Sequence, residues 1–331
     1  MAAGDPPHRR GDTSRTSFPR RGASVLTLAA IVGPTAAGKS EIAEAVARRF
    51  HATSITTDSM QVYRGMDIGT AKPDRDVRVW VDYRMLDICD PSDDFTVHEF
   101  QRSARRHIEE LATQYRRVVI AGGSGLHFRA VVDPMTFAPT DAALRAVLEE
   151  QTLESLVLEL LSADPGAANL VDLANPRRVV RAVEIIRLTG ETPTRRANKP
   201  EASLVRSYEP LYPLKAFGID AHDASPHRVA SRLDAMVGAG FIEEVEGLGS
   251  TLGTSASQAV GYREFARMVA GEISRGEAMA DTIRATNGLV KRQRTFFRRD
   301  PRIEWLPWQD DRAERIDRAV DHIGESMQWN S

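Results

Sequence analysis

A glycine-rich segment near the start of the chain has the residues that bind phosphate groups. The pattern G-x-x-x-x-G-K-[ST] is matched by Gly33-Pro34-Thr35-Ala36-Ala37-Gly38-Lys39-Ser40. Glycines let the backbone curl so that its N–H groups point at an anion, and the helix that follows adds the positive end of its dipole. Lys39 supplies a point charge, and Ser40 supplies a hydroxyl suited to Mg²⁺. The pattern predicts a loop that binds a diphosphate or a triphosphate, and it leaves the choice between them open.

A second segment narrows that choice. It begins at Asp58 and reads DSMQVYRGMDIGTAKP as far as Pro73. Further along the chain, in order, come LDICDP (86–91), GGSGL (122–126), NPRRVVRAVE (175–184), VGYRE (260–264) and KRQ (291–293). Together with the glycine-rich loop, these segments resemble the tRNA dimethylallyltransferases, also called isopentenyl-tRNA transferases, over about residues 25–308. The segment from Asp58 to Pro73 is highly specific to that family, whereas the loop alone is generic.

The resemblance implies a reaction. In this family the loop binds dimethylallyl diphosphate rather than hydrolysing ATP. The dimethylallyl group moves to N6 of the adenosine at tRNA position 37, next to the anticodon, which gives N6-isopentenyladenosine and diphosphate. The partners implied are tRNA, through its anticodon stem-loop, and dimethylallyl diphosphate, with Mg²⁺ as the cofactor.

The transfer requires a base. An exocyclic adenine amine is a weak nucleophile because its lone pair is delocalised into the ring. A group must therefore take its proton while the charge on the departing diphosphate is compensated. Asp58 follows a predicted strand beside the loop and is the candidate base. The resemblance implies the same role, because the matching aspartate of the family holds N6. A helix cap or a surface turn is the alternative interpretation.

The resemblance also assigns the residues that bind the leaving group. These are the loop amides and the side chains of Thr35, Lys39 and Ser40, with Arg228 and Arg232 as secondary candidates. The two arginines are four residues apart and share one helix face, although ordinary solvated arginines would show the same spacing. Ser124 stands where the family usually has threonine, lining the channel between the substrates. We count it as catalytic together with Asp58 and Lys39.

Residues that contact tRNA are implied in three groups. The first group follows the candidate base and includes it: Asp58, Ser59, Met60 and Gln61, with Ser124. The second group occurs later in the chain: Arg145, Arg177, Arg178, Val179, Val180 and Arg181. The third is Lys291 and Arg292, followed by Phe296 and Phe297, on whose rings bases could stack. From the residues alone, the phenylalanines and Met60 are more typical of core packing.

Four positions depart from the family pattern. His127 stands where tyrosine is usual, Phe296 where tryptophan is usual, and Asn287-Gly288 where an arginine leads into KRQ. The stretch from Asp220 to Ser225 lacks a common arginine. Asn287 removes a charge from a region expected to contact substrate, so the departures bear on affinity and not on the class of reaction.

The elements that must position these residues alternate along the chain. Apolar runs at 25–32, 54–57, 118–121 and 217–219 predict strands, and helical patterns cover 39–50 and 95–115. This alternation predicts an α/β fold, a phosphate-loop parallel sheet flanked by helices, with ligands outside the carboxyl ends of the strands. Asp58, Gly123 and Ser124 all follow such ends. We therefore expect them at the same edge of the sheet as the phosphate loop.

Residues 140–212 are expected to form an all-helical insertion domain, which by the resemblance grips the tRNA. They show no strand-like alternation up to about Thr189, and Asn175-Pro176 predicts a helix start. The core is then discontinuous, over 23–139 and 213–309, with helices expected at 226–236, 262–268 and 279–297. Residues 310–331 are predicted to be a C-terminal helix or tail.

The chain of 331 residues carries a net charge of −2, from 44 basic and 46 acidic residues. Residues 1–22 hold five arginines and two aspartates, a charge of +3, which leaves −5 for the rest. Their Arg, Pro, Gly and Ser content predicts a disordered basic tail, with an organelle-targeting peptide as the alternative. A negatively charged body that binds RNA must gather its basic residues in patches.

Composition also excludes some classes. The single cysteine, Cys89, rules out an intramolecular disulfide framework and a Cys-rich zinc site, and it is typical of a buried apolar residue. His98-Glu99 lacks the second histidine of a zinc motif. With no run of 18 apolar residues and no signal peptide, the chain is predicted to be cytoplasmic, and we expect a monomer.

Two other function classes compete with the transferase. A phosphate-loop kinase or ATPase usually places a magnesium-binding aspartate at the end of a buried strand, but the strand at 118–121 is followed by Gly122-Gly123. A non-catalytic RNA-binding protein has no need of a diphosphate cradle, whereas here Lys39, Ser40 and Asp58 are intact. The sequence favours the transferase, with the small-molecule kinase or ATPase as the second hypothesis.

Overall fold

In residues 26–114 and 116–330, which the computed structural model describes, six strands form one sheet. In chain order they are β1 Leu28–Val32, β2 Thr53–Thr56, β3 Tyr83–Arg84, β4 Val118–Gly122, β5 Leu214–Gly218 and β6 Ile303–Trp305. Across the sheet their order is β3-β2-β4-β1-β5-β6, and each neighbouring pair is parallel. The predicted α/β class is confirmed. The tail predicted at 1–22 lies outside the described residues.

Helices cover both faces of the sheet and fill the insertion. In chain order they are α1 Lys39–Phe50, α2 Arg75–Trp80, α3 Val97–Thr113, α4 Gly125–Val132, α5 Ala142–Glu149, α6 Leu153–Ala163, α7 Pro176–Thr189, α8 Pro193–Ala197, α9 Pro200–Arg206, α10 Ser225–Gly238, α11 Phe241–Leu248, α12 Thr254–Ser257, α13 Tyr262–Val269, α14 Arg275–Phe297 and α15 Arg312–Met327. Short 3₁₀ turns occupy Pro165–Asn169, His222–Ala224 and Gly249–Thr251. Among these described helices, none has the length and apolar character needed to cross a membrane.

Local sequence sets where several helices begin. The first helix, α1, covers the predicted residues 39–50. In contrast, α14 begins at Arg275, before the predicted start, because Ser274 and Glu277 form a capping box in which each side chain binds the other's backbone N–H. Asn175 caps α7 by accepting a hydrogen bond from the N–H of Arg178 at 3.3 Å. The helix start predicted there is confirmed.

The central strand β1 packs on both faces of the sheet. Leu28, Ala30 and Val32 belong to an apolar cluster on one face, Ala29 and Ile31 belong to a cluster on the other, and all five are fully buried. The first cluster includes side chains of α3, α4, α11, α13 and α14. The second includes side chains of α1 and α15. Burial on both faces explains why this strand is a continuous apolar run.

The edge strands β3 and β6 were not predicted from the sequence. They have two and three residues, which is too short for an alternating pattern to show. Each pairs in parallel with a longer strand that was predicted, β3 with β2 and β6 with β5. Their strand geometry is therefore imposed by the neighbouring strand rather than by their own residues.

The insertion between β4 and β5 has an apolar cluster of its own. Leu148, Leu156, Leu160 and Val183 are buried in it and come from α5, α6 and α7. This cluster is distinct from the two that pack on the sheet. The helices of the insertion therefore pack mainly on one another.

Candidate active site

The carboxyl ends of β1, β2 and β4 meet at one edge of the sheet, and polar residues follow each of them. Gly33 comes directly after β1, and Asp58 and Ser124 each lie two residues beyond the end of their strand. Thr35, Asp58 and Ser124 line one cavity of about 390 Å³ at this edge. The structure therefore brings together the residues that chain order predicted to meet there.

The phosphate loop is curled tightly against β5. Gly33 has a φ of +141°, and a Cβ at this position would lie 2.1 Å from the carbonyl oxygen of Ile219, just after β5. Gly38, with a φ of +84°, turns the chain into α1. Both conformations favour glycine. Lys39 begins the helix and donates from Nζ to the carbonyl of Pro34 at 2.6 Å.

Positive charge is concentrated where the loop meets α1. Burial, and after it the charge of Arg232, lower the pKa of the Lys39 ammonium, while Asp58 and Asp220 oppose the shift, and the net value is about 7. Burial also lowers the pKa of Arg232. Across the described residues, no carboxylate forms an ion pair with either cation. Together with the N-terminus of α1, they favour an anion that carries more than one negative charge.

Two cavities meet at the loop. The surface of the cavity with Asp58 and Ser124 is mostly apolar, while a second cavity of about 880 Å³ is lined by Lys39, Ser40 and Arg228 among others. Four further basic residues, Arg64, Lys72, Arg75 and Arg78, and four acids, Glu41, Asp67, Asp74 and Asp87, also line the second cavity, whose basic residues outnumber its acids. Ala36, Arg232 and Met236 line both cavities. A ligand held at the loop can therefore place a charged group in the basic cavity and an apolar group in the other.

Arg228 contacts the loop directly. Its Nε donates to the carbonyl of Ala36 at 2.7 Å, and its side chain is half-buried. Arg232 lies one turn later on α10 and faces the same loop. The four-residue spacing of the two arginines therefore directs both to the phosphate loop, so the alternative of ordinary solvated arginines is not supported.

Asp58 is held by its own segment and keeps one carboxylate oxygen open. Its Oδ1 accepts a hydrogen bond from the N–H of Met60 at 2.9 Å. Its own N–H donates to Oγ1 of Thr56 at 3.2 Å. In the part of the chain that the structure describes, no donor contacts Oδ2. The side chain lines the apolar cavity, so this oxygen is available to a ligand there.

Ser124 pairs with one of the residues that depart from the family pattern. Its Oγ lies 2.8 Å from Nδ1 of His127, whose ring packs edge-on against Phe100 at 4.7 Å between centroids. Burial lowers the pKa of His127 to about 4, with Asp58 acting in the opposite direction. The imidazole is therefore neutral near pH 7, and it orients the Ser124 hydroxyl without neutralising Asp58.

Gln293 has a role at the phosphate loop that was not predicted from the sequence. Its Oε1 accepts a hydrogen bond from the backbone N–H of Thr35 at 2.8 Å, so α14 fixes the phosphate loop directly. A Cβ at Gly123 would lie 2.8 Å from Nε2 of the same side chain. The KRQ motif contained this signal, but only Lys291 and Arg292 were assigned from it.

A buried ion pair next to the loop was also missed. Asp220 is 1% exposed and accepts two hydrogen bonds from Arg294, at 2.7 and 2.8 Å. Burial alone would raise the pKa of Asp220, and the hydrogen bonds from Arg294 and from the N–H of His222 instead hold it below its usual range. The pairing keeps this acid from neutralising Lys39. Nothing in the local sequence indicates a contact between α14 and the end of β5.

The first predicted tRNA group divides into half-buried and buried side chains. Ser59 and Met60 line the cavity beside Asp58. Gln61 is 8% exposed, and its amide binds Thr56 and the carbonyls of Thr70 and Ala71 at 2.7–3.2 Å. Its side chain therefore holds this segment together and does not face a ligand.

The third group lies on α14. Arg292 is exposed and lines the cavity with Asp58, and Lys291 is exposed beside it. Phe297 is fully buried, as expected for core packing, but Phe296 is 37% exposed and lines the same cavity. The expectation of core packing is therefore wrong for Phe296. Helical periodicity sets neighbouring residues on different faces, and α14 directs only Phe297 inward.

In the insertion, two of the predicted arginines are bound to a buried acid. Glu184 is fully buried, and it accepts hydrogen bonds from Arg145 at 2.9 Å, Arg181 at 2.6 Å and the N–H of Asp141 at 3.0 Å. Burial raises the pKa of this carboxyl, and the three donors more than reverse the effect and hold it below its usual value. Arg145 and Arg181 therefore stabilise the insertion, whatever else they contact.

Arg177 and Arg178 are exposed at the start of α7. They line a groove of about 710 Å³ together with four other basic residues: Arg181, Arg196, Lys199 and Arg206. Val179 and Val180 are buried in the apolar cluster of the insertion, so their side chains pack and do not face the groove. Of the predicted segment 177–181, the first two arginines are the ones open to a polyanion.

The hydroxyl of Ser40 lies in the exposed first turn of α1 and faces the basic cavity. Within 26–114 and 116–330, no cluster of three or more His, Cys, Asp or Glu side chains is arranged to hold a metal ion. Cys89 is buried with a free thiol, as its sequence context predicted.

Comparison with known proteins shows the family of this chain. The family model described as IPP transferase matches residues 61–300. The tRNA dimethylallyltransferase of Streptomyces griseus is 41% identical over 307 residues, which cover 90% of this chain and 96% of that protein. The enzyme of the same name from Thermobifida fusca is 39% identical, over 88% of this chain and 93% of its own length.

This chain is also similar in fold to solved structures of enzymes of this kind. The tRNA isopentenylpyrophosphate transferase of Bacillus halodurans is 33% identical, with a TM-score of 0.66 over 91% of this chain and 97% of that one. The corresponding protein of Staphylococcus epidermidis is 29% identical, with a TM-score of 0.66 over 92% of this chain and all of its own. A eukaryotic dimethylallyltransferase acting on tRNA, 19% identical, shares the fold with a TM-score of 0.73.

The low pKa of Lys39 predicts that anion binding at the loop depends on pH. Below about pH 7 the ammonium is charged and attracts an anion; above it, binding must first return a proton to Lys39. Affinity for sulfate, which does not titrate in this range, should fall by up to about tenfold per pH unit above 7. Calorimetric titration between pH 6 and 9 measures this, with Lys39→Met as the control whose weak binding should not vary with pH. Wild-type affinity that is constant across this range would contradict the assignment.

Proposed function

The chain belongs to the IPP transferase family, as a tRNA dimethylallyltransferase, and we propose how its residues carry out the transfer. The dimethylallyl group of dimethylallyl diphosphate moves to N6 of the adenosine at tRNA position 37, and diphosphate leaves. One observation supports this proposal most strongly: a basic cavity and a largely apolar cavity meet at the phosphate loop. There, Lys39 and Arg232 form no ion pair with a carboxylate of the described residues. A diphosphate joined to a short apolar chain fits both cavities at once.

The diphosphate lies in the basic cavity. The loop amides, Thr35, Lys39, Arg228 and Arg232 bind its oxygens and stabilise the charge that develops as the allylic C–O bond breaks. Mg²⁺ fits this arrangement, because it keeps several waters and binds through few protein ligands plus substrate phosphates, and the exposed hydroxyl of Ser40 is suited to that role. When bound, Mg²⁺ would neutralise part of the charge on the leaving diphosphate.

Asp58 takes the proton from N6. Its Oδ1 is bound by the N–H of Met60, which leaves Oδ2 as the oxygen that accepts the proton. Ser124 stands at the same cavity with its hydroxyl oriented by the neutral imidazole of His127. Neither Ser124 nor His127 binds the carboxyl group of Asp58, so its Oδ2 is available to accept the proton.

The tRNA is bound by groups that lie outside the basic cavity. Ser59, Met60 and Arg292 lie at the cavity that receives the adenine, with Lys291 next to them. The helical insertion, residues 140–212, binds the phosphate backbone through Arg177 and Arg178, while 23–139 and 213–309 form the catalytic core. All these groups come from one chain, so we propose a monomer. We also propose that the enzyme acts on tRNA in the cytoplasm.

The residues at the same edge of the sheet argue against the kinase or ATPase alternative. The strand β4 ends at Gly122 and is followed by Gly123, where an ATPase would be expected to carry its magnesium-binding aspartate. The neighbouring acid, Asp220, is committed to Arg294. A module that only binds RNA would not require buried cations around a loop of this kind.

Mass spectrometry of tRNA nucleosides tests the function. Purified protein incubated with unmodified tRNA, dimethylallyl diphosphate and Mg²⁺ should produce N6-isopentenyladenosine, and a tRNA with guanosine at position 37 is the control that should stay unmodified. ATP hydrolysis should be at background. Robust ATP hydrolysis without isoprenyl transfer would replace the proposal with the kinase or ATPase alternative.

Replacement of Asp58 by Asn should slow transfer by about 10²–10⁴-fold, the usual contribution of a positioned general base. Asn keeps an oxygen that can accept from the N–H of Met60, so the local turn should persist. Single-turnover rates under saturating substrates measure the loss, and Kd values for tRNA and dimethylallyl diphosphate serve as the control. Near-normal turnover by Asp58→Asn would remove this residue from the mechanism.

The double substitution of Arg177 and Arg178 by Ala should weaken tRNA binding and reduce its salt dependence. Each lost phosphate contact should lower the slope of log Kd against log salt by about one unit. Arg181 is left in place because it also holds Glu184. The matched control removes two adjacent exposed arginines, Arg48 and Arg49, at the far end of α1.

Filter binding of tRNA at several salt concentrations distinguishes the two double variants. Binding of dimethylallyl diphosphate should be unchanged in both, because neither pair lines the basic cavity. If the insertion variant and the control had the same tRNA affinity and slope, the insertion would not be the site that binds the tRNA backbone.

A further inference from the structure

The C-terminal helix lies against the phosphate loop, in a region beyond the residues that the family model matches. At its start, Arg312 donates from Nε to Oε1 of Glu41, in the first turn of α1, at 3.0 Å. One turn later Arg315 is 4% exposed and donates to the carbonyl of Gln309 at 2.7 Å. The segment is therefore fixed to the amino-terminal end of α1, where the anion binds.

An indole ring in this segment contacts two guanidinium groups. The centroid of Trp308 lies 4.4 Å from Cζ of Arg315 and 5.3 Å from Cζ of Arg228. Both distances are within the range of a cation–π interaction. The ring is itself fixed, because its Nε1 donates to Oδ1 of Asp310 at 2.9 Å. Trp308 thus joins the C-terminal segment to an arginine that also binds the loop carbonyl of Ala36.

The same groups converge on Gly38. A Cβ at this position would lie 3.6 Å from Nε of Arg315 and 3.7 Å from Nη2 of Arg228. Among the described residues, Nε of Arg315 is buried without a hydrogen-bond partner, and the nearest acid, Glu41, reaches its Nη2 only at 4.0 Å. Two cations are held near one carboxylate, and their mutual repulsion would drive the flexible Arg228 side chain away from the loop.

We infer that Trp308 is a positioning residue for the diphosphate, because its ring holds the guanidinium of Arg228 at the phosphate loop against the repulsion of Arg315. The inference rests on the proposed binding of dimethylallyl diphosphate at this loop. An aromatic face attracts a cation without pairing its charge, so Arg228 remains available to the ligand, as it would not beside a carboxylate. Bound diphosphate then supplies the negative charge that both arginines lack.

Three variants test the inference. Trp308→Leu removes the aromatic face, and Trp308→Phe keeps a smaller one. Trp329→Leu is the matched control, because Trp329 packs on Phe50 at the far end of the same C-terminal segment, with 5.8 Å between ring centroids. For each variant, calorimetry gives Kd for dimethylallyl diphosphate, steady-state kinetics gives kcat and both KM values, and thermal unfolding gives Tm.

Trp308→Leu should weaken dimethylallyl diphosphate binding by about 3- to 30-fold, raise its KM and lower kcat, because Arg228 also stabilises the leaving diphosphate, while the KM for tRNA stays unchanged. Trp308→Phe should recover most of the affinity, and Trp329→Leu should lower Tm without changing Kd. Wild-type affinity in Trp308→Leu, or an equal loss of affinity in Trp329→Leu, would overturn the inference alone. A wild-type protein that binds no dimethylallyl diphosphate would overturn the proposed function as well.

Discussion

The amino terminus of α1 gathers Lys39, Arg228 and Arg232 around the backbone amides of the phosphate loop, and the surrounding structure keeps acids from pairing with them. Asp220 is a buried carboxylate close enough to influence Lys39, and it is bound by Arg294. Glu41 is engaged by Arg312. Buried charge is costly without a partner. This arrangement therefore favours the binding of an anion that carries several negative charges. The same separation of charges leaves Asp58 free for proton transfer.

The sequence was informative wherever structure depends on neighbouring residues. The phosphate loop, the start of α7 at Asn175 and the strand end before Asp58 are all set by local backbone preferences, so they could be predicted. Contacts between distant segments could not. Gln293 binds Thr35 across 258 residues, and the motif that contains it does not say which side chain faces the loop. For the same reason Gln61 could be recognised as part of a specific segment, but not as a buried residue that holds it together.

His127 shows how a departure from a family pattern acquires a physical meaning in the structure. From the sequence it was only a replacement of tyrosine. In the fold, its ring packs on Phe100 and its Nδ1 meets the hydroxyl of Ser124, itself a replacement of threonine. The two changes lie in contact, so the hydroxyl that faces the substrates has a defined partner, and a neutral one. Such a pairing can be read only after both residues are placed.

The position of β1 between β4 and β5 has a consequence for how the chain folds. These neighbours are separated in the chain by the whole insertion, and the entropy lost on closing a flexible loop grows with its length. Because the insertion has an apolar cluster of its own, it can fold locally. Local folding shortens the effective loop that must close before β5 pairs with β1. Until β5 docks, Gly33 has no Ile219 carbonyl to lie against. The phosphate loop therefore reaches its final curl only after β5 has paired with β1, so the anion-binding loop depends on a strand encoded more than 170 residues after it.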